Sequence, residues 1–130
     1  MYTSCPSKHD ESKDFTKPHN AVRDTLEQID VAKLLMDKYW KTFQFATSAA
    51  EVRLAVGTGR IAGLLGVEGA HQLGNSLGAL RQYYALGVRY MTLTHSCNNA
   101  FADSAGIFEK VEPKHGGLRY GWAWCVTTER

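Results

Sequence analysis

The sequence is 130 residues long, 44% hydrophobic and 22% charged, and fifteen Lys and Arg against thirteen Asp and Glu leave a net charge of +2. That size suits one domain with a sizeable core, and without a basic block nothing electrostatic points to nucleic acid or an anionic membrane. No apolar run nears the ~18 residues a membrane span needs, and the N-terminal MYTSCPSKHDESKDF lacks the apolar centre of a secretory signal.

In chain order, residues 3–20 are polar and carry Pro6, Pro18 and the mixed-charge run KHDESKD, so they read as a surface loop. From Asn20 the pattern changes: Val22, Leu26, Ile29, Leu35 or Met36 and Tyr39 recur every three or four residues. This spacing predicts an amphipathic helix of about five turns over 20–40, capped by Asn20. A helix of that kind needs nothing more than a core to lie on. Ser48-Ala49-Ala50-Glu51 fits a Ser-x-x-Glu capping box and opens a short helix through Val56, ended by Gly57 and Gly59.

Ile61 to Val67 is almost continuously apolar, the mark of a strand covered on both faces. It stops on Glu68, an acid that is costly to bury without a partner. Ser76–Leu86 is helical by spacing, and Val88–Thr94 is rich in β-branched and aromatic residues, as a second strand would be. Strand, helix and strand over 61–95 make a βαβ unit with parallel strands, hence an α/β fold. Ligand sites in such folds gather at the C-terminal ends of the strands. Glu68 ends the first strand and His95 follows the second, so both belong to one rim.

Three readings fit Glu68: a metal ligand, a general acid or base, and a carboxylate capping backbone amides. His95 precedes Ser96-Cys97-Asn98-Asn99, a run of small polar residues suited to lining a site; the plain alternative is a packed loop histidine. His71 stands at a helix start, where it lines the site or simply packs. His9, His19 and His115 fall in loops and read as solvent-facing. There is no Gly-Lys-Ser/Thr phosphate loop and no GxSxG elbow. Cys5, Cys97 and Cys125 lack the spacing of a zinc ribbon or a redox pair; one disulfide with a leftover thiol and three reduced thiols both fit.

Leu65-Gly66-Val67-Glu68-Gly69-Ala70-His71, Ser76-Leu77-Gly78-Ala79-Leu80-Arg81 and the stretch Leu86–Asn98, which contains Leu93-Thr94-His95-Ser96-Cys97-Asn98, closely resemble the membrane dipeptidase (renal dipeptidase) family. Ala102-Asp103-Ser104 and Arg23–Asp30 fit as well. The resemblance runs from about Tyr2 to Leu118. It implies a TIM-like (β/α)8 barrel and a two-zinc site that hydrolyses dipeptides. It places Glu68 as the carboxylate bridging both Zn2+ ions and His95 as the substrate and transition-state contact. Asn98 joins His71 as a residue that would line the site. A disulfide between Cys5 and Cys97 is implied too, leaving Cys125 over. Two metals can share a hydroxide and polarise the scissile carbonyl, while a rim histidine hydrogen-bonds the developing oxyanion.

A whole barrel of this kind takes about 250 residues, so residues 1–118 are expected to form a partial one. By the resemblance, a His-x-Asp zinc pair belongs before Met1. Two further zinc histidines, a substrate-binding arginine and an acid/base aspartate belong after residue 118. Residues 119–130, RYGWAWCVTTER, diverge and read like a frameshift or an unspliced intron. The expectation is a truncated chain, inactive alone and without a tight two-zinc site, whose bare parallel edges invite aggregation. The resemblance implies a dipeptide substrate and a homodimer in the complete protein. Membrane attachment would come only through segments outside this sequence, and the disulfide favours a secreted or membrane-anchored setting. The competing class is a non-catalytic βαβ interaction module, or a dead relative that associates with a full-length dipeptidase.

Overall fold

A computed structural model of the chain describes residues 1–3 and 20–104. The first helix, α1 (Ala21–Lys38), buries Ala21, Thr25, Ile29 and Met36, a stripe that repeats at helical pitch. Met36 rather than Leu35 occupies the inner face: Met36 is 8% exposed and Leu35 51%. Leu26 and Tyr39, expected on the same face, are exposed. Thr25 is tolerated inside because its one hydroxyl proton lies between two acceptors, the Ala21 carbonyl at 2.6 Å and Gln72 Oε1 at 2.7 Å. Asn20 occupies the cap position but makes no side-chain cap bond, since its backbone is already in the helical region.

Next come β1 (Phe43–Phe45), α2 (Ala49–Gly57) and β2 (Ile61–Gly63). Ser48 caps α2 by accepting from the Glu51 amide at 3.3 Å. The return arm of the expected capping box reaches one residue further back, where the Glu51 carboxylate accepts from the Thr47 amide at 2.6 Å. The strand expected over 61–67 is broken at Leu64, which is 53% exposed, and continues as β3 (Leu65–Glu68). Its two halves take different neighbours. β2 pairs in parallel with β1, a strand the sequence reading did not anticipate, and β3 pairs in parallel with β4 (Val88–Thr92). Covering is therefore uneven: Leu65 and Val67 are buried, whereas Ile61 is 57% exposed.

Between β3 and β4 the chain makes a 3-10 turn (Ala70–Leu73) and the helix α3 (Leu77–Ala85), capped by the Ser76 hydroxyl. The expected βαβ unit is present with parallel strands. Its core joins Ile29 and Met36 of α1 to Leu65, Val67, Leu73, Tyr83 and Val88. Gly87 is required twice over, by its φ of +105° and because a Cβ there would sit 2.3 Å from the Phe45 ring. It lets β4 start hard against the end of β1.

Among the described residues the architecture is mixed α/β with two short parallel pairs, and no closed barrel is formed. No helix among them is long and apolar enough to cross a membrane. Thr3, placed by the sequence reading in a surface loop, is buried. Cys5, Cys125, the histidines at 9, 19 and 115 and the divergent tail 119–130 lie outside the described residues.

Candidate functional site

The register of β3 on β4 sets Glu68 opposite Thr92, so both strands end at the same level. The chain beyond Glu68 turns at Gly69, whose amide donates to the Thr92 hydroxyl at 2.8 Å. Its φ is +103°, and a Cβ on it would lie 2.5 Å from His71 Nδ1 and 3.4 Å from the His95 Cβ. Only glycine can occupy this corner. It lets His71 pack on one side and His95 on the other.

His95 Nε2 lies 3.6 Å from Glu68 Oε2, and its Nδ1 lies 3.2 Å from the Ser96 hydroxyl. The Glu68 side chain is 45% exposed and that of His95 33%, so the pair sits at an open rim. The carboxylate is thus half-solvated rather than buried, unlike the expectation from its apolar strand. The Tyr2 ring packs against the His95 ring with centroids 4.9 Å apart and planes tilted by 55°.

His71 is buried, and its Nε2 lies 3.2 Å from the Thr3 carbonyl. It therefore braces the N-terminal residues against the turn that carries Glu68. Gln72 is fully buried; it donates to the Glu68 carbonyl at 2.7 Å, and its Oε1 accepts from the Thr25 hydroxyl at 2.7 Å. The Tyr83 hydroxyl in turn donates to the Gln72 carbonyl at 2.8 Å. Burial pushes the Tyr83 phenol above its ordinary pKa, while a side-chain hydrogen bond with Thr25 acts in the opposite direction. The backbone of the metal-site candidate Glu68 is thereby tied to two helices.

The loop after β4 is held by its own amides. Asn99 Nδ2 donates to the Leu93 carbonyl, and its Oδ1 accepts from the Phe101 and Ala102 amides. Asn98 Oδ1 accepts from the Ser104 amide at 2.7 Å, and the Ser104 hydroxyl donates to the His95 carbonyl at 2.7 Å. Asn98 is buried in this arrangement, as is Cys97. The sequence reading missed Gln72 and Tyr2, and it named Asn99 and Ser104 within their motifs without giving either a task. A small polar run after His95 signalled a shaped loop, but nothing local marked Gln72 or Tyr2.

A carboxylate oxygen and an imidazole nitrogen are both ordinary zinc donors, and the half-open rim leaves Glu68 accessible. Among the described residues, however, no group of three or more His, Cys, Asp or Glu is placed to hold a metal ion.

A family model described as membrane dipeptidase (peptidase family M19) matches residues 1–121. The chain belongs to the membrane dipeptidase family. An uncharacterized dipeptidase of Schizosaccharomyces pombe is 46% identical over 121 residues, covering 92% of this chain and 29% of that protein. The dipeptidase verJ of Clonostachys rogersoniana is 43% identical over 119 residues, covering 90% of this chain and 30% of that protein. The chain thus spans less than a third of the length of either relative. The matched stretch contains every site residue described above.

Proposed function

We propose that the chain supplies one part of a zinc-dependent dipeptidase site, with Glu68 as the metal-bridging ligand and His95 as the residue that meets the substrate. The observation that carries this reading is the 3.6 Å approach of His95 Nε2 to Glu68 Oε2 at the C-terminal ends of two parallel strands. Family membership supports the reaction class. When bound, two zinc ions supply an activated hydroxide and a polarised carbonyl.

The residues of this chain have separate tasks. Glu68 presents a half-exposed carboxylate from a backbone that Gln72 holds in place. His95 offers Nε2 at the same rim, where an imidazole N–H can donate to the oxyanion of the tetrahedral intermediate. Ser96 at Nδ1 and Ser104 at the carbonyl restrict its swing. Gly69 leaves the corner between them without a side chain.

Residues 1–118 are read as part of a (β/α)8 barrel, of which the two parallel pairs are consecutive pieces. A Cys5–Cys97 disulfide belongs to the same proposal; the burial of Cys97 supports it. Alone, the chain is proposed to lack dipeptidase activity and a tight two-zinc site, because a catalytic zinc takes about three protein ligands.

The test is a chimera in which residues 1–121 replace the matching segment of the Schizosaccharomyces pombe dipeptidase. Dipeptide hydrolysis that is lost in Glu68→Gln and strongly reduced in His95→Ala is expected. Hydrolysis that persists in Glu68→Gln overturns the role of Glu68. For the isolated chain, turnover with added zinc that Glu68→Ala abolishes would refute its inactivity.

A further inference from the structure

We propose that Gln28 is a positioning residue for His95, acting through Tyr2. The inference rests on the reading of His95 as a substrate contact, and it assigns the part of the site that no residue near the rim accounts for.

Tyr2 lies in no helix or strand. Its two backbone polar groups are nevertheless both served, and by one side chain. The Tyr2 amide donates to Gln28 Oε1 at 3.0 Å, and Gln28 Nε2 donates to the Tyr2 carbonyl at 2.8 Å. A carboxamide is the side-chain group that carries a donor and an acceptor in one plane, so Gln28 acts as a strand neighbour would. Glutamate could make only the first bond and lysine only the second. The α1 backbone that carries Gln28 is anchored by the next residue, Ile29, which is 2% exposed in the core, while the two Gln28 bonds themselves lie at the surface.

The clamp has a directed consequence. With its backbone held at both groups, Tyr2 has its ring 4.9 Å from the His95 ring. That separation lies within the range of favourable tilted aromatic pairs. His95 is otherwise held at its carbonyl by Ser104 and at Nδ1 by Ser96. Neither contact covers a ring face. The Tyr2 ring packs against the imidazole itself, tilted by 55°, and the orientation so favoured is the one that turns Nε2 toward Glu68 Oε2. Gln28 thus influences His95 without touching it, along a path from α1 through a residue far away in sequence.

The test is NMR on the isotope-labelled full chain without metal or substrate, reading the His95 ring protons, which feel the ring current of Tyr2. Tyr2→Leu defines the full displacement. Gln28→Leu is expected to displace the same resonances by at least half as much, leaving Gln72 and Tyr83 in place. Gln28→Glu, which keeps the length and helix propensity of glutamine, is expected to give a smaller displacement in the same direction. His95 resonances that stay at their wild-type positions in Gln28→Glu and Gln28→Leu overturn the proposal, as does a Tyr2→Leu variant that fails to move them. Displacement of Gln72 and Tyr83 alongside His95 would also overturn it, since Gln28 would then be structural only. If Gln28→Leu does not fold, Gln28→Glu alone decides. Because no turnover is measured, failure here is distinct from failure of the dipeptidase chimera.

Discussion

The side-chain amide of Gln72 donates to the backbone carbonyl of Glu68 at 2.7 Å while its own oxygen accepts from Thr25 across the helix boundary. The Thr25 and Gln72 side chains are buried and the Glu68 carbonyl is partly so, and a buried partner left unpaired loses access to water. Gln72→Leu is expected to destabilise the chain by about 1–3 kcal/mol. Thr25→Val should cost less, because Gln72 keeps its bond to Glu68. Urea unfolding of the two single variants and the double variant measures the coupling. Strict additivity would show that the bond between the two side chains contributes nothing.

Gly69 and Gly57 make a matched contrast. At Gly69 a methyl would meet His71 Nδ1 at 2.5 Å with φ at +103°, whereas at Gly57 nothing lies within 4 Å of the added Cβ. Gly69→Ala is expected to cost about 1–3 kcal/mol in backbone strain, before any displacement of His71. Gly57→Ala, at the end of α2, is expected to be stabilising by about 0.4–1 kcal/mol through the unfolded chain. Thermal unfolding distinguishes them by sign. Equal effects at the two positions would refute the steric account of the corner.

The rim was legible because two signals agree. A β-branched run after a segment of helical spacing predicts parallel strands, and the parallel pair sets Glu68 level with Thr92, with His95 three residues beyond it on the same rim. The break at Leu64 was not legible, since an apolar run says nothing about which neighbour each half takes. β1 is three residues long, too short for an alternation pattern to stand out. Gln72 looks like any polar residue after a turn; its burial depends on Thr25, 47 positions away. Tyr2 is placed by Gln28, 26 positions on, and no local rule reports that. What a sequence hides here is the set of pairwise polar contacts, because each partner is unremarkable until the fold brings the other to it.

The two faces of α1 should respond oppositely to truncation. Ile29 is 2% exposed in the core and Leu34 is 60% exposed. Ile29→Ala is expected to cost about 2–5 kcal/mol, from lost burial and the cavity left behind. Leu34→Ala should fall within about 0.5 kcal/mol, as exposed substitutions do. A large effect of Leu34→Ala on the isolated chain would mean that this face is covered in solution, and sedimentation of the variant against the wild type would then show a change in mass.

Glu51 supplies a pH dependence whose sign can be worked out. Its carboxylate accepts from the Thr47 amide at 2.6 Å and the Thr47 hydroxyl at 2.9 Å. These bonds favour the ionised form, the backbone one most, and hold the Glu51 pKa below the ordinary carboxylate value. A depressed folded-state pKa means that the unfolded chain binds the proton more readily. The contribution is therefore complete above the unfolded glutamate value of about 4.3, and it is lost as pH falls through the lower folded value. Glu51→Gln keeps an acceptor for Thr47 but does not ionise. Wild type should be the more stable at pH 7, and its lead over the variant should shrink steadily below about pH 4. Urea midpoints at pH 7 and pH 3 measure that gap, and a gap that is the same at both would show that the Thr47 bonds do not depend on the charge of Glu51.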